Sequence, residues 1–433
     1  MSAARELAVR EEQASIGQRM LWLIDRHRGH QGALNYPTLF RLRGPLDVAA
    51  LQRALDALVA RHETLRTTFT RRRGLLTQVI NEPRETAMSV VDLSTAADSE
   101  ASLQRHVAEE LSTRIDPRTW PHRVTLWRLR DRDHVLCLNA HHMVTDASSC
   151  GVLLDDLARL LGGAGPADLP RVGWQYRHFG LWQRRQLSGD GLRAQQDYWR
   201  ERLAGLQFPP LPPRTGADGA PRTVTMRAEI DPTVVDRLRR LARDQQTTPF
   251  VVMLSVLCAL LHGRSGQTDV AVASLCANRM RPELARTVGF FANMVVLRTR
   301  FSSAATVSEL VRAAHGTVSE ALLHQQLPYY LLPADVVTAG SHRADDFVFQ
   351  MLPDIPPPTR VGDLEVEVLL PEVASRFDLE LALVPRGGRL TVLLQCAEQR
   401  VDRQWAAQLV SEYASLAARF AGSAHGPLGR LVS

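Results

Sequence analysis

The sequence predicts an α/β protein built in two parts of similar size. Three observations predict it. Helical patterns alternate with strand-like apolar runs along both halves. The 433 residues are enough for two ordinary domains. A proline-rich stretch, Phe208-Pro209-Pro210-Leu211-Pro212-Pro213 running on to Gly219-Ala220-Pro221, interrupts the alternation near the middle and reads as an extended strap. The expected parts are 1–172, a helical and proline-rich connection 173–221, and 222–433.

The elements follow in order. Ser15 to Leu23 forms a short amphipathic helix, and Tyr36 to Leu42 a strand. Asp47 caps a helix from Val48 to Arg61 with Leu51, Leu55, Leu58 and Val59 on one face. Arg61 to Phe69 is a helix end passing into a strand. Strands follow at Leu76 to Ile80 and Met88 to Val91, a helix at Glu100 to Leu111, and strands at Val124 to Leu129 and His134 to Ala140. A helix-like run, Gly151 to Leu161, stops at Gly162-Gly163. Trp174 to Leu203 is a long helical, aromatic stretch. The second half opens with a strand, Arg222 to Ile230, and a helix from Pro232 to about Gln245. Thr248 caps a helix with Pro249 at its first position, Phe250 to Leu261, ending at Gly263. Val270 to Leu275 is a buried strand, and Val288 to Arg298 a glycine turn entering another. Val307 to Leu323 is helical. Strands at Asp346 to Leu352, Leu364 to Leu370, Phe377 to Val384 and Leu390 to Gln395 precede a last helix, Asp402 to Phe420. No repeat is legible directly.

Composition narrows the function. The chain has no lysine, so its net charge of +6 is arginine-based. That excludes a P-loop lysine, a Schiff-base lysine and an S-x-x-K nucleophile. The arginines are dispersed, which argues against a nucleic-acid footprint. The five cysteines, at 137, 150, 258, 276 and 396, fit neither a disulfide nor a zinc spacing. Buried free thiols, no apolar leader at Met1 to Glu6 and no apolar run long enough to span a bilayer place the expected protein in the cytoplasm, away from membranes.

The chemistry concentrates in His141-His142-Met143-Val144-Thr145-Asp146-Ala147, a polar turn between a strand and a helix that begins near Ser148 or Ser149. Successive side chains on a strand face opposite ways, so one imidazole can meet a cavity while the other packs. The N–H groups at the helix start would point back at the turn. Taken alone, the pattern also admits a hydrogen-bonded histidine core, a metal site with Asp146 and Cys150, or a role for Asp146 as a helix cap only. The opposed faces of the two histidines count against the metal.

The order of motifs resembles the condensation domains of nonribosomal peptide synthetases. Ser15 to Leu23 resembles their S-x-A-Q-x-R-x-W opening, and Arg61 to Phe69 matches R-H-E-x-L-R-T-x-F. The histidine turn matches H-H-x-x-x-D-G except at its last residue. Tyr176 to Gln183, Val288 to Arg298 and His324 to Tyr329 resemble three later family segments. The resemblance implies two chloramphenicol-acetyltransferase-like subdomains in a V-shaped pseudo-dimer with a central tunnel, entered by the phosphopantetheine arms of acyl or peptidyl carrier proteins. It implies no cofactor or metal of the protein's own.

It also assigns roles. His142 takes a proton from the attacking amine or fixes its orientation, and an imidazole pKa of about 6.5 suits either. His141 is its buried partner. Asp146 pairs with Arg279 to shape the turn, and the amide at Ala147 holds the oxyanion. Ser148, Gly289 and Asn293 are expected along the tunnel. Ala147, where the family has glycine, adds a methyl and disfavours a positive φ. The expected protein is a stand-alone enzyme that joins a carrier-bound acyl thioester to an amine or alcohol, on a carrier or as a free small molecule. A catalytically inactive recruitment module of the same fold and a coenzyme A-dependent acyltransferase are the alternatives.

Overall fold

In the computed structural model the described residues are 10–28, 34–208, 211, 223–339, 342–371, 377–398, 401–423 and 425–432. Most of the expected proline-rich strap lies outside them. The chain forms two compact units. The first holds Met1–Ser188, Ala277–Ala292 and Pro356–Val373; the second holds Gly189–Cys276, Asn293–Ile355 and Ala374–Ser433. The first unit is therefore discontinuous, unlike the continuous stretches drawn from sequence. Its two late segments are tied in by main chain and by core. Leu364–Leu369 pairs antiparallel with Asn35–Arg43, and Val288, Leu364 and Val366 pack among Phe40, Leu51 and Leu153.

The first unit is organised on a six-stranded sheet in the order Thr359–Val361, Leu364–Leu369, Asn35–Arg43, Asp133–His141, His122–Arg130, Met88–Asp92. Only the last pair is parallel. Helices Val48–Arg61 and Ala147–Leu161 bury their leucine faces together, with Leu51, Leu55 and Leu58 against Leu153 and Leu157. Asp47 starts the first of these helices by accepting from the Ala49 and Ala50 amides at 2.9 and 3.0 Å. A smaller sheet, Arg10–Gln13, Leu75–Ile80, Thr67–Arg72, stands beside helix Ile16–Arg28.

The second unit carries its own six-stranded sheet, ordered Asn293–Arg300, Asp269–Cys276, Phe347–Met351, Leu379–Arg386, Arg389–Ala397, Thr223–Ile230. Phe347–Met351 is parallel to both neighbours. Helix Pro249–Ser265 is apolar all round and buried from Val251 to Leu261, as a central core helix must be.

Three expectations are corrected. The helical stretch after Trp174 is two helices, Tyr176–Gln186 and Gly189–Leu203, broken where Gly189 takes φ 54°. Helix Pro249–Ser265 runs past Gly263 and ends at Gly266, whose φ of 72° supplies the left-handed cap. The helix after the histidine turn begins at Ala147 and is capped by Asp146, not by Ser148 or Ser149. Among the described residues no single helix is long and apolar enough to cross a membrane; only the bent pair Pro232–Asp244 and Pro249–Ser265 passes on length and composition, and it turns by 106°.

Candidate functional site

Strand Asp133–His141 is bonded on both edges, by Asn35–Arg43 and His122–Arg130, so its end is held firmly. There the main chain is pinned further. The His141 amide donates to Pro121 O, the His142 amide to Leu34 O, both at 2.7 Å, and the Val144 amide to His141 O at 2.9 Å.

The two histidines diverge as strand geometry requires. The His142 ring lies between Tyr36, stacked at 4.8 Å, and the edge of Phe290, also at 4.8 Å. Its Nδ1 is 2.8 Å from Thr145 O. A carbonyl only accepts, so Nδ1 carries a proton, and Nε2 is the nitrogen that is basic when the ring is neutral. His141 is 1% exposed. Its Nδ1 is 3.2 Å from the Met143 amide and must accept, so its proton sits on Nε2. That nitrogen is buried with no hydrogen-bond partner among the described residues, and Asp25 Oδ1 lies 3.8 Å away.

Asp146 is both a cap and a hub. Its Oδ1 accepts from the Ser149 amide at 2.7 Å and from Arg279 Nη2 at 3.2 Å, and its Oδ2 from the Phe291 amide at 3.0 Å. Arg279 also donates through Nη1 to Leu284 O and Thr287 O, both at 2.7 Å, and its guanidinium lies 4.1 Å over the Phe291 ring. Asn278, just before it, holds φ at 49°, a left-handed conformation that asparagine tolerates better than most residues. The ion pair is buried and anchored at both ends, the condition under which such a pair fixes a geometry.

Ser149 joins this hub, although its sequence position suggested only a possible cap. Its hydroxyl accepts from Gly289 N at 3.0 Å and Arg279 Nη2 at 2.9 Å, and lies 2.7 Å from Asp146 Oδ1 and 2.9 Å from Gly289 O, to one of which it donates. The D-x-x-S spacing at a helix start was the available signal. Tyr176 figured in the sequence only as part of a motif. Its hydroxyl bonds Ser15 Oγ at 2.8 Å and Phe290 O, and its ring closes over Gly289. A Cβ on Gly289 would meet Tyr176 Cδ2 at 2.1 Å, so that position admits nothing larger than glycine.

Gly289, expected along a passage, is thus a buried packing position. Asn293 belongs to the second unit, and its side chain is fully engaged there: it donates to Gln325 O and Leu327 O at 2.8 and 2.7 Å and accepts from the Tyr329 amide at 3.1 Å. It fastens the Gln325–Tyr329 loop and offers no polar atom to a substrate. Ser148 is half-buried on the first helical turn. Ala147 opens that helix and is not among the residues of positive φ, so the expected backbone strain is absent. No protein group among the described residues accepts from the amides of Ala147 and Ser148, which stand at the positive end of a fifteen-residue helix.

A second charged network steadies the same helix. Buried Asp156 takes His62 Nε2 at 2.9 Å, Arg61 Nε at 3.0 Å and Arg286 Nη2. Burial lowers the His62 pKa, more than Asp156 restores it. Cys150 Sγ receives Thr38 Oγ1 at 2.9 Å, and burial raises its pKa to about 11, so it stays a thiol at neutral pH. Among the described residues no three histidine, cysteine or carboxylate side chains are grouped to hold a metal.

A family model described as Condensation domain matches residues 11–432. One of the proteins that make up linear gramicidin synthase in Brevibacillus parabrevis is 33% identical over 393 residues, covering 86% of this chain and 8% of that protein. Phosphinothricin tripeptide synthetase PhsC of Streptomyces viridochromogenes is 34% identical over 398 residues, covering 87% and 36%. The chain thus spans a minor part of the length of these relatives. Among solved structures, the SgcC5 protein from Streptomyces globisporus aligns over 96% of this chain and 100% of its own with TM-score 0.78 and 25% identity. The X-domain from teicoplanin biosynthesis aligns over 98% of each chain with TM-score 0.80 and 26% identity, and its complex with OxyB aligns with TM-score 0.79. The two mixed sheets match these folds as chloramphenicol-acetyltransferase-like halves.

Proposed function

This chain belongs to the condensation-domain family of nonribosomal peptide biosynthesis, and from that premise we propose that it joins a carrier-bound acyl or aminoacyl thioester to an amine, or to an alcohol, forming an amide or an ester. The observation that carries this reading is the His142 tautomer. Thr145 O holds a proton on Nδ1, which makes Nε2 the basic nitrogen of the neutral ring, and the helix that starts at Ala147 opens with amides that no protein group among the described residues engages. The nucleophile adds to the thioester carbon, and the oxygen that gains charge lies against those amides. His142 Nε2 takes the proton released by the nucleophile and returns one to the departing phosphopantetheine thiolate as the carbon–sulfur bond breaks. Asp146, with both oxygens occupied, shapes the turn and moves no proton. Carrier proteins supply the donor, and a carrier or a small molecule supplies the acceptor.

Recruitment without catalysis is the second reading, favoured by the likeness to a teicoplanin X-domain that has been solved with OxyB. Intact-mass measurement on loaded carriers separates the two. The native protein is expected to release product, and His142→Ala to slow that release by about 10²-fold or more with Tm unchanged. Full turnover by His142→Ala removes the proposed role. No turnover by the native protein, with stable binding of a tailoring enzyme, establishes recruitment instead.

A further inference from the structure

Helix Ile16–Arg28 grips the histidine turn at both sides of one residue, Met143. Gln18 Nε2 donates to Met143 O at 3.1 Å. The Met143 amide donates to His141 Nδ1, and the far nitrogen of that ring faces Asp25. Gln18 and Asp25 are seven positions apart, so they share a face of the helix. Asp25 is itself buried and held by Arg114. The catalytic reading above leaves Asp25 unused.

We propose that Asp25 is the positioning residue of the turn: it holds the His141 proton on Nε2, which keeps the Nδ1 lone pair for the Met143 amide and so fixes the peptide that leaves His142. The reasoning is one of alternatives. Were the His141 proton on Nδ1, two N–H groups would face each other and the peptide after His142 would have to rotate. Nothing else within hydrogen-bond reach among the described residues accepts from Nε2. At 3.8 Å the carboxylate acts through charge, not through a hydrogen bond, and a fixed negative charge is enough to favour the tautomer whose N–H points at it. Burial alone would raise the Asp25 pKa, but His141 and Arg114 outweigh it and hold the group at about 2, so the charge persists across the working range. The partners of Asp25 among the described residues are Arg114 and His141, so it acts on His142 through the chain between them.

The inference rests on His142 being the working imidazole, so its test has a readout that does not depend on turnover. Imidazole nitrogen NMR on histidine-labelled protein, with His141 identified by loss of its signal in His141→Gln, should show native His141 protonated at Nε2. In Asp25→Asn the Nδ1-protonated form should appear. On loaded carriers, Asp25→Asn should lower kcat by about 10- to 100-fold with KM within about twofold, and Asp25→Glu should recover part of the loss. Native His141 protonated at Nδ1, or an unchanged tautomer in Asp25→Asn, overturns the proposal. So does full kcat in Asp25→Asn. If Asp25→Asn fails to fold, the native tautomer alone still decides. A native protein that forms no product but keeps the Nε2 tautomer overturns the condensation reading and leaves the positioning role standing.

Discussion

The two units contain the same device, and only one of them ends in the histidine pair. In each, an antiparallel hairpin runs into an aspartate-capped helix. The first pairs His122–Arg130 with Asp133–His141 and continues into Ala147–Leu161; the second pairs Leu379–Arg386 with Arg389–Ala397 and continues into Arg403–Phe420. The neighbours correspond as well. The second hairpin strand is flanked antiparallel by Asn35–Arg43 or Thr223–Ile230, and the first hairpin strand in parallel by Met88–Asp92 or Phe347–Met351. His141 stands as far before Asp146 as Ala397 does before Asp402. Yet Asp402 is exposed and caps through the Trp405 amide at 2.7 Å, whereas Asp146 is buried and adds Arg279 and the Phe291 amide. Where the first unit has His142, the second has exposed Glu398. Capping is what the fold asks of both aspartates. The site arises where one copy is buried and a separate segment, Ala277–Ala292, brings it a cation.

The largest contrast should come from the caps themselves. Asp146→Ala strands Arg279 in a buried setting and is expected to cost about 3–5 kcal/mol, whereas Asp402→Ala loses one exposed cap and should cost about 1 kcal/mol. Urea unfolding of the two variants checks this, and equal losses would break the distinction.

A somewhat smaller effect should follow pH. His122 pairs with Ala140, and Leu379 holds the same register against Cys396 in the second unit. Burial lowers the His122 pKa to about 4, with Arg84 adding to it and the bond to Leu65 O only partly opposing. The unfolded chain binds that proton near pH 6.5. The stability it contributes is therefore complete above about 6.5 and is lost as pH falls through about 4, roughly 3 kcal/mol in all. Urea midpoints across this range should fall less in His122→Leu than in the native protein. Identical slopes would show that the histidine is no acid liability.

The smallest effect is expected at Ala147. Because its backbone is already helical, Ala147→Gly should change stability by at most about 1 kcal/mol and product formation by no more than about threefold. A large gain in rate would mean that the methyl obstructs the site although the backbone accommodates it.

Much of this was legible in the sequence. Caps are local, so Asp47 and Thr248 announced their helices, and the helix expected at Val307 to Leu323 has those bounds. The ordered motifs named His141, His142, Asp146 and Arg279, and the structure brings Asp146 and Arg279 within 3.2 Å. What was not legible depends on main chain or on distance. Strands Arg10–Gln13 and Thr359–Val361 are short and polar, and pair through backbone that carries no side-chain pattern. Tyr36, Gln18 and Asp25 reach the turn from other elements, Tyr176 closes on the Gly289–Phe291 segment, and no local spacing reports that. The repeated hairpin escaped notice because it is a repeat of pairing, filled with different residues.

The discontinuity of the first unit bears on how the protein is made. Arg279 and the Phe291 amide follow Asp146 by 133 and 145 positions, and strand Leu364–Leu369 later still. As the ribosome works from the N-terminus, Asp146 emerges long before the cation and the amide that hold it. Until that synthesis is well advanced, the nascent turn lacks its clamp. The shape of the turn is therefore completed only once residues 277–292 have been made, and a chain released before them keeps the histidines with Asp146 unclamped.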